Sequence, residues 1–140
     1  MIILSNSIAQ TLAPGQSATF DIVISKTGCA ECFRPNSGTV SLVVEGAIYE
    51  LNIGSNIGVS EATGEAQLVL MLNGSPISET TMISQTATAG ELNNVSRTTH
   101  LRTCKSPCGC AGPSNIRVTN TGTTTITFGA NSIFGVKRVA

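Results

Sequence analysis

Tryptophan is absent from this 140-residue chain, tyrosine and histidine occur once each, and charged residues make up only 11%. Each shortage closes a class of function. A single histidine, His100, cannot furnish a clustered metal centre of the cupin type, and no serine, cysteine or carboxylate accompanies it in sequence as a catalytic triad would. The carboxylates stand one at a time among strand and turn residues, so no glycosidase-like acid pair can be named. The glycines of residues 54–64 lack the Lys-Ser/Thr ending of a phosphate loop. No apolar run approaches the roughly 20 residues a membrane-spanning helix requires. The opening MIILSNSIAQ has neither a basic n-region nor a long apolar h-region, so no secretory leader is expected. Eight basic and eight acidic residues cancel, which leaves no electrostatic footprint for nucleic acid or an anionic membrane. The expectation is a protein that is not an enzyme, with no cofactor and no metal.

What is present points to β-structure. Hydrophobic residues reach 41%, enough for a core in a single domain of this length, and the polar remainder is mostly Thr, Ser, Asn and Gly. No stretch of a dozen residues keeps apolar side chains at helical spacing, and the Thr/Val/Ile load favours strands. Residues 1–12 alternate up to a turn signal at Ala13-Pro14-Gly15. They read either as a first strand or as an arm lent to a neighbouring copy through Ile2, Ile3, Leu4, Ile8 and Leu12, ahead of one domain over residues 13–140. Residues 17–25 place Phe20, Ile22 and Ile24 on one face and Asp21, Val23 and Ser25 on the other, the period of a half-buried strand. Strands are also expected over 39–44 and 47–53, with Tyr49, Leu51 and Ile53 sharing a face, and residues 54–64 read as a polar connection. The run QLVLML at 67–72 suits a strand covered on both sides, and Asn73-Gly74 suits a type I′ hairpin turn leading into a return strand over 77–86. Further strands fall at 92–103, 115–120, 123–128 and 133–139. Nine or ten short strands at this spacing predict an all-β fold, an antiparallel jelly-roll sandwich. A neutral, weakly charged surface offers little repulsion between copies and favours assembly.

The five cysteines form two clusters, Cys29-x2-Cys32 and Cys104-x3-Cys108-x-Cys110. Zinc would want four thiolates, and the first pair has suitable spacing, but Cys108-Gly109-Cys110 is tight for two ligands of one ion. A redox role for the first pair would need a helix behind it, where a Phe-Arg-Pro-Asn-Ser-Gly loop stands instead. Disulfides lead, within a loop, between clusters or between copies, and the odd count leaves one thiol over. Asn73-Gly74-Ser75 and Asn94-Val95-Ser96 match glycosylation acceptors, a motif too short to weigh alone.

From Thr39 onward, about two-thirds of the chain resembles small virion-structural proteins of Firmicutes phages. The same domain type is similar to the C1q/TNF-like heads on collagen-like spore-surface filaments. The residues that carry this are, in order, QLVLMLNGSPISETTMI, the NVS at 94–96, the CGC at 108–110, VTNTGTTTITF and the closing VKRVA. The resemblance implies a jelly-roll protomer that forms a compact homotrimer and decorates a particle or fibre. Its partners would be copies of itself and other virion or surface proteins, and its location a virion or an extracellular or spore surface. The chain departs from the pattern in having no collagen repeat and in carrying the Cys29-x2-Cys32 loop. A cysteine-cross-linked fibre subunit of a spore or cell surface is the alternative, and a glycan-binding head module a further one. The scarcity of aromatic rings speaks against the last.

Overall fold

A computed structural model describes residues 1–34, 36–103 and 114–140. Thirteen extended segments follow one another: β1 (Ile2–Ser5), β2 (Gln10–Leu12), β3 (Ile22–Lys26), β4 (Glu31–Phe33), β5 (Val40–Leu42), β6 (Ile48–Val59), β7 (Gly64–Leu72), β8 (Ser75–Pro76), β9 (Met82–Thr86), β10 (Asn93–Arg102), β11 (Ser114–Thr119), β12 (Ile126–Phe128) and β13 (Ile133–Arg138). They make two antiparallel sheets packed face to face, the jelly-roll sandwich expected. In the first sheet β10 and β13 flank β6, and β1 and then β3 lie beyond β13; β12 and β2 continue the β13 and β1 lines. In the second, β4, β5, β11 and β7 run side by side, with β8 and β9 along the far edge of β7.

The core follows from the period of two. On β6 Tyr49, Leu51, Ile53, Ile57 and Val59 are buried while Asn52 and Asn56 face solvent. That alternation runs on past Ile53, so residues 54–59 belong to a strand and not to the expected polar connection, and the turn begins only at Ser60. Facing β7 buries Leu68, Val69 and Leu70 consecutively, as its unbroken apolar run required. Phe20 stacks on Phe134 at 5.5 Å and meets Phe128 edge-on at 6.2 Å, joining three distant parts of the chain. Asn73 and Gly74 both hold positive φ, as the hairpin turn demands. The return strand breaks into β8, a single 3₁₀ turn and β9. Thr80 in that turn accepts the Leu70 amide hydrogen with its hydroxyl, supplying the acceptor a continuous strand would have offered.

Residues 17–25 do not form one half-buried strand. Ser17 and Phe20 bridge to Thr119 and Ser37, and the chain then crosses over so that Ile22–Lys26 pairs with β1. Phe20 enters the core, whereas Ile22 and Ile24 are exposed because β3 is the last strand of its sheet. Gly38 allows the loop before β5 to close on this crossing: a Cβ there would sit 2.2 Å from the Ala18 carbonyl oxygen.

Candidate assembly surface

Residues directly opposite each other in antiparallel strands share a face. On the solvent side of the first sheet, Ile22 of β3, Ile133 of β13 and Gly54 of β6 therefore stand in one row, with Ile3, Gly135, Asn52 and Thr98 in the next. Ile22 and Ile133 are 37% and 39% exposed, and Ile24, at the register shift in β3, is 54% exposed. Around them the face carries Ser25, Ser96, Asn56 and Asn94. Among the described residues its ionisable side chains gather at one end, where Lys137, Glu50 and His100 line up across three strands. His100 Nε2 lies 3.5 Å from a Glu50 carboxylate oxygen. The result is a field of isoleucine, glycine and small neutral side chains that runs out to β3, beyond which no strand pairs among the described residues. An edge strand that is apolar and uncovered is a template for association.

Asn6 holds this face in shape. Buried between β1 and β2, its amide nitrogen donates to the Ile8 and Gly129 carbonyls at 2.9 and 3.0 Å, and its carbonyl accepts the Ser132 amide hydrogen at 3.0 Å. It thereby fixes the break in the β12–β13 line just before Ile133. Nearby, the Ser7 amide and hydroxyl both donate to Asp21 and hold its carboxyl below the ordinary carboxylate value.

The residues singled out in the sequence divide. Ile2, Leu4 and Leu12, named for an arm, are buried in the protein's own core. Ile3 is half-buried on this outer face, and Ile8 is 74% exposed. Cys29 and Cys32 are both free thiols at the surface, on either side of Ala30 and Glu31. Glu31 is buried, one carboxylate oxygen 3.0 Å from the Met1 ammonium and the other without a hydrogen-bond partner among the described residues. Cys104, Cys108 and Cys110 lie outside the described residues. Among those described, no three His, Cys, Asp or Glu side chains converge as metal ligands would. Val136 of the closing strand is buried in the core, while Val139 is exposed. Ile22 and Ile133 were not marked out by the sequence: its alternation grouped Ile22 with Phe20 on the apolar face of a half-buried strand, whereas the structure leaves Ile22 37% exposed.

No protein-family model matches this sequence. No curated protein matches it either. Solved structures do match in fold. The Eiger TNF of S. frugiperda superposes with a TM-score of 0.68 at 10% identity, covering 99% of this chain and 91% of that one. Murine APRIL gives 0.62 at 10% identity, covering 99% and 97%. The PRD1 vertex protein P5 gives 0.51 at 10% identity, again covering 99% and 97%. At such identity the likeness is one of fold alone, a jelly-roll β-sandwich.

Proposed function

We propose that this protein is a non-enzymatic structural subunit that self-associates through its jelly roll on the outside of a particle, a virion first of all. The observation that carries the reading is the neutral, isoleucine-bearing outer face of the first sheet and its open β3 edge. Ile22 and Ile133 are already more than half covered, so completing the burial of each against a second copy contributes about 1 kcal/mol, with little charge to desolvate at the centre of the contact. The fold likeness to a vertex protein supports the particle setting. The alternative is a fibre subunit whose copies are joined by disulfides, and the exposed free thiols of Cys29 and Cys32 favour it.

Native mass, measured with and without reductant, tests both. A closed oligomer of unchanged mass supports the surface subunit. Large assemblies that shrink on reduction support the cross-linked fibre, and a monomer under both conditions overturns self-association.

A further inference from the structure

The opposite outer face, on the second sheet, carries a trough of different chemistry. Three adjoining concavities of about 430, 440 and 470 Å³ run across it. The first and second share Gly15, Ser17 and Arg117, and the second and third share Ser37 and Thr39. The trough crosses β7, β11, β5 and β4, a width of roughly 14 Å at the usual strand separation.

Two guanidinium groups lie in it, Arg117 in the first two concavities and Arg34 in the third. Among the described residues neither guanidinium has a hydrogen-bond or ion-pair partner, and no lining residue carries a carboxylate. In a chain whose charges balance overall, this is a locally cationic strip. The polar groups between the arginines are held in place beforehand. Ser41 donates its hydroxyl to the Asn115 side-chain carbonyl at 2.7 Å, and the Asn115 backbone amide donates to the Asn73 side-chain carbonyl at 2.8 Å. With its carbonyl occupied, Asn115 offers its amide nitrogen, which has no partner among the described residues. Ser17 and Thr119 share a hydroxyl–hydroxyl bond of 2.8 Å.

We infer that this trough binds an acidic oligosaccharide, a chain of sugars bearing carboxylates. The two unpaired guanidinium groups and the free Asn115 amide nitrogen are all donors, which suits a ligand rich in oxygen and negatively charged, and an arginine fork matches a carboxylate in two bonds at once. A strip four strands wide accommodates more than one charged group, so a lone inorganic anion would leave one arginine unused. Nucleic acid is disfavoured because only Phe33 offers a ring for bases to stack on and two cations match few phosphates. A protein partner would want apolar anchors, and the trough has only Met71 and Phe33. Hydrogen bonds here take the place of the aromatic platforms that this sequence lacks.

The test is calorimetric titration of the intact chain with trimers of galacturonate and of mannuronate, beside neutral maltotriose and sodium sulfate. At least one acidic trimer should bind, maltotriose at least tenfold more weakly, and added salt should weaken the acidic ligand. Arg117→Ala and Arg34→Ala, both surface changes that should fold normally, should each weaken binding about 10- to 100-fold, the range for losing a charged hydrogen bond. Arg117→Lys should restore only part of it. Failure of both acidic trimers, equal binding of maltotriose, sulfate as effective as the trimers, or full affinity in Arg117→Ala would each overturn the inference. None of these outcomes depends on whether the chain self-associates.

Discussion

The two outer faces of this sandwich cover one core, yet they are decorated in opposite ways. On the first sheet the outward positions hold exposed Ile22 and Ile133 and half-buried Ile3 among glycines and small neutral side chains, with the ionisable groups displaced to the Lys137–Glu50–His100 row. On the second they hold Arg34 and Arg117 over a floor of hydroxyls and amides already tied to one another. A flat apolar field is suited to a rigid neighbour of the same shape. A trough with unpaired donors is suited to a thin, polar, charged ligand. Both sides pair their backbones in antiparallel ladders and turn apolar residues inward, so the contrast between the faces resides in the outward half of each strand's alternation. That half is free to vary without cost to the fold.

The largest effect should come from charging the apolar face. Ile22→Lys combined with Ile133→Lys places two ammonium groups on the field and, in a symmetric contact, at least four between neighbours. Burying them unpaired costs several kcal/mol each, so the assembly should fall to monomer by sedimentation or native mass. Trigalacturonate affinity should be unchanged in that monomer. An assembly that survives both substitutions would move the contact to another surface.

A smaller effect, and a sharper comparison, comes from two buried asparagines. Asn6 stitches the break before Ile133. Asn120 does the same where β11 leaves the second sheet: its amide nitrogen donates to the Leu12 and Thr124 carbonyls at 3.0 and 2.8 Å, and its carbonyl accepts the Gly122 amide hydrogen at 3.0 Å. Its backbone also bonds to Gly15 and Gln16, which wall the trough. Asn6→Ala leaves the Ser132 amide without its acceptor, although the Gly129 carbonyl keeps the Ser132 hydroxyl, and Asn120→Ala leaves the Gly122 amide without its acceptor; each should cost about 1–3 kcal/mol in denaturant unfolding. They should part company in function: Asn6→Ala should weaken self-association more, Asn120→Ala trimer binding more. Equal damage to both properties by either variant would show that the faces are not independent.

The strands of this contrast were legible before its surfaces were. The alternation of Tyr49, Leu51 and Ile53, the unbroken QLVLML and the Asn-Gly turn are local signals, and each formed the element expected of it. Residues 54–59 escaped because Gly54, Asn56 and Gly58 fill outward or tightly packed positions; a polar, glycine-rich outward half makes a strand resemble a loop. Ile22 and Ile24 escaped for a tertiary reason. Periodicity shows that they alternate with Asp21 and Val23, but only sheet order shows that no strand follows β3 among the described residues. Arg34 and Arg117 lie far apart in the chain and meet one trough through the β4–β5–β11 order, which no spacing rule encodes. Cysteine spacing named its candidates, and of these Cys29 and Cys32 are described as exposed thiols.

The smallest effect concerns the tie between the two sheets. Tyr49 rises from β6 of the first sheet, donates its hydroxyl hydrogen to the Ala30 carbonyl at 2.7 Å and accepts the Val44 amide hydrogen at 3.3 Å. Both partners adjoin β4 and β5, the Arg34 end of the trough. Burial raises the phenol above its ordinary value of 10.0, with the Glu31 carboxylate adding to the rise. A raised folded-state value means that the unfolded chain ionises first. The stabilisation is complete below about pH 10 and is lost as pH climbs through the folded value. Tyr49 is the chain's only tyrosine, so its phenolate absorbance reports this one group without interference. Titration should show the band appearing late and together with unfolding, while assembly and trimer binding persist until then and vanish together. Tyr49→Phe should cost about 1–2 kcal/mol near neutrality, by orphaning the Val44 amide while the Ala30 carbonyl keeps the Val43 amide hydrogen at 3.1 Å, and should flatten the alkaline loss. If the band instead appears at the ordinary value in a protein that stays folded, the two sheets are not locked at this point. The trough would then be expected to loosen at its Arg34 end before the assembly face responds.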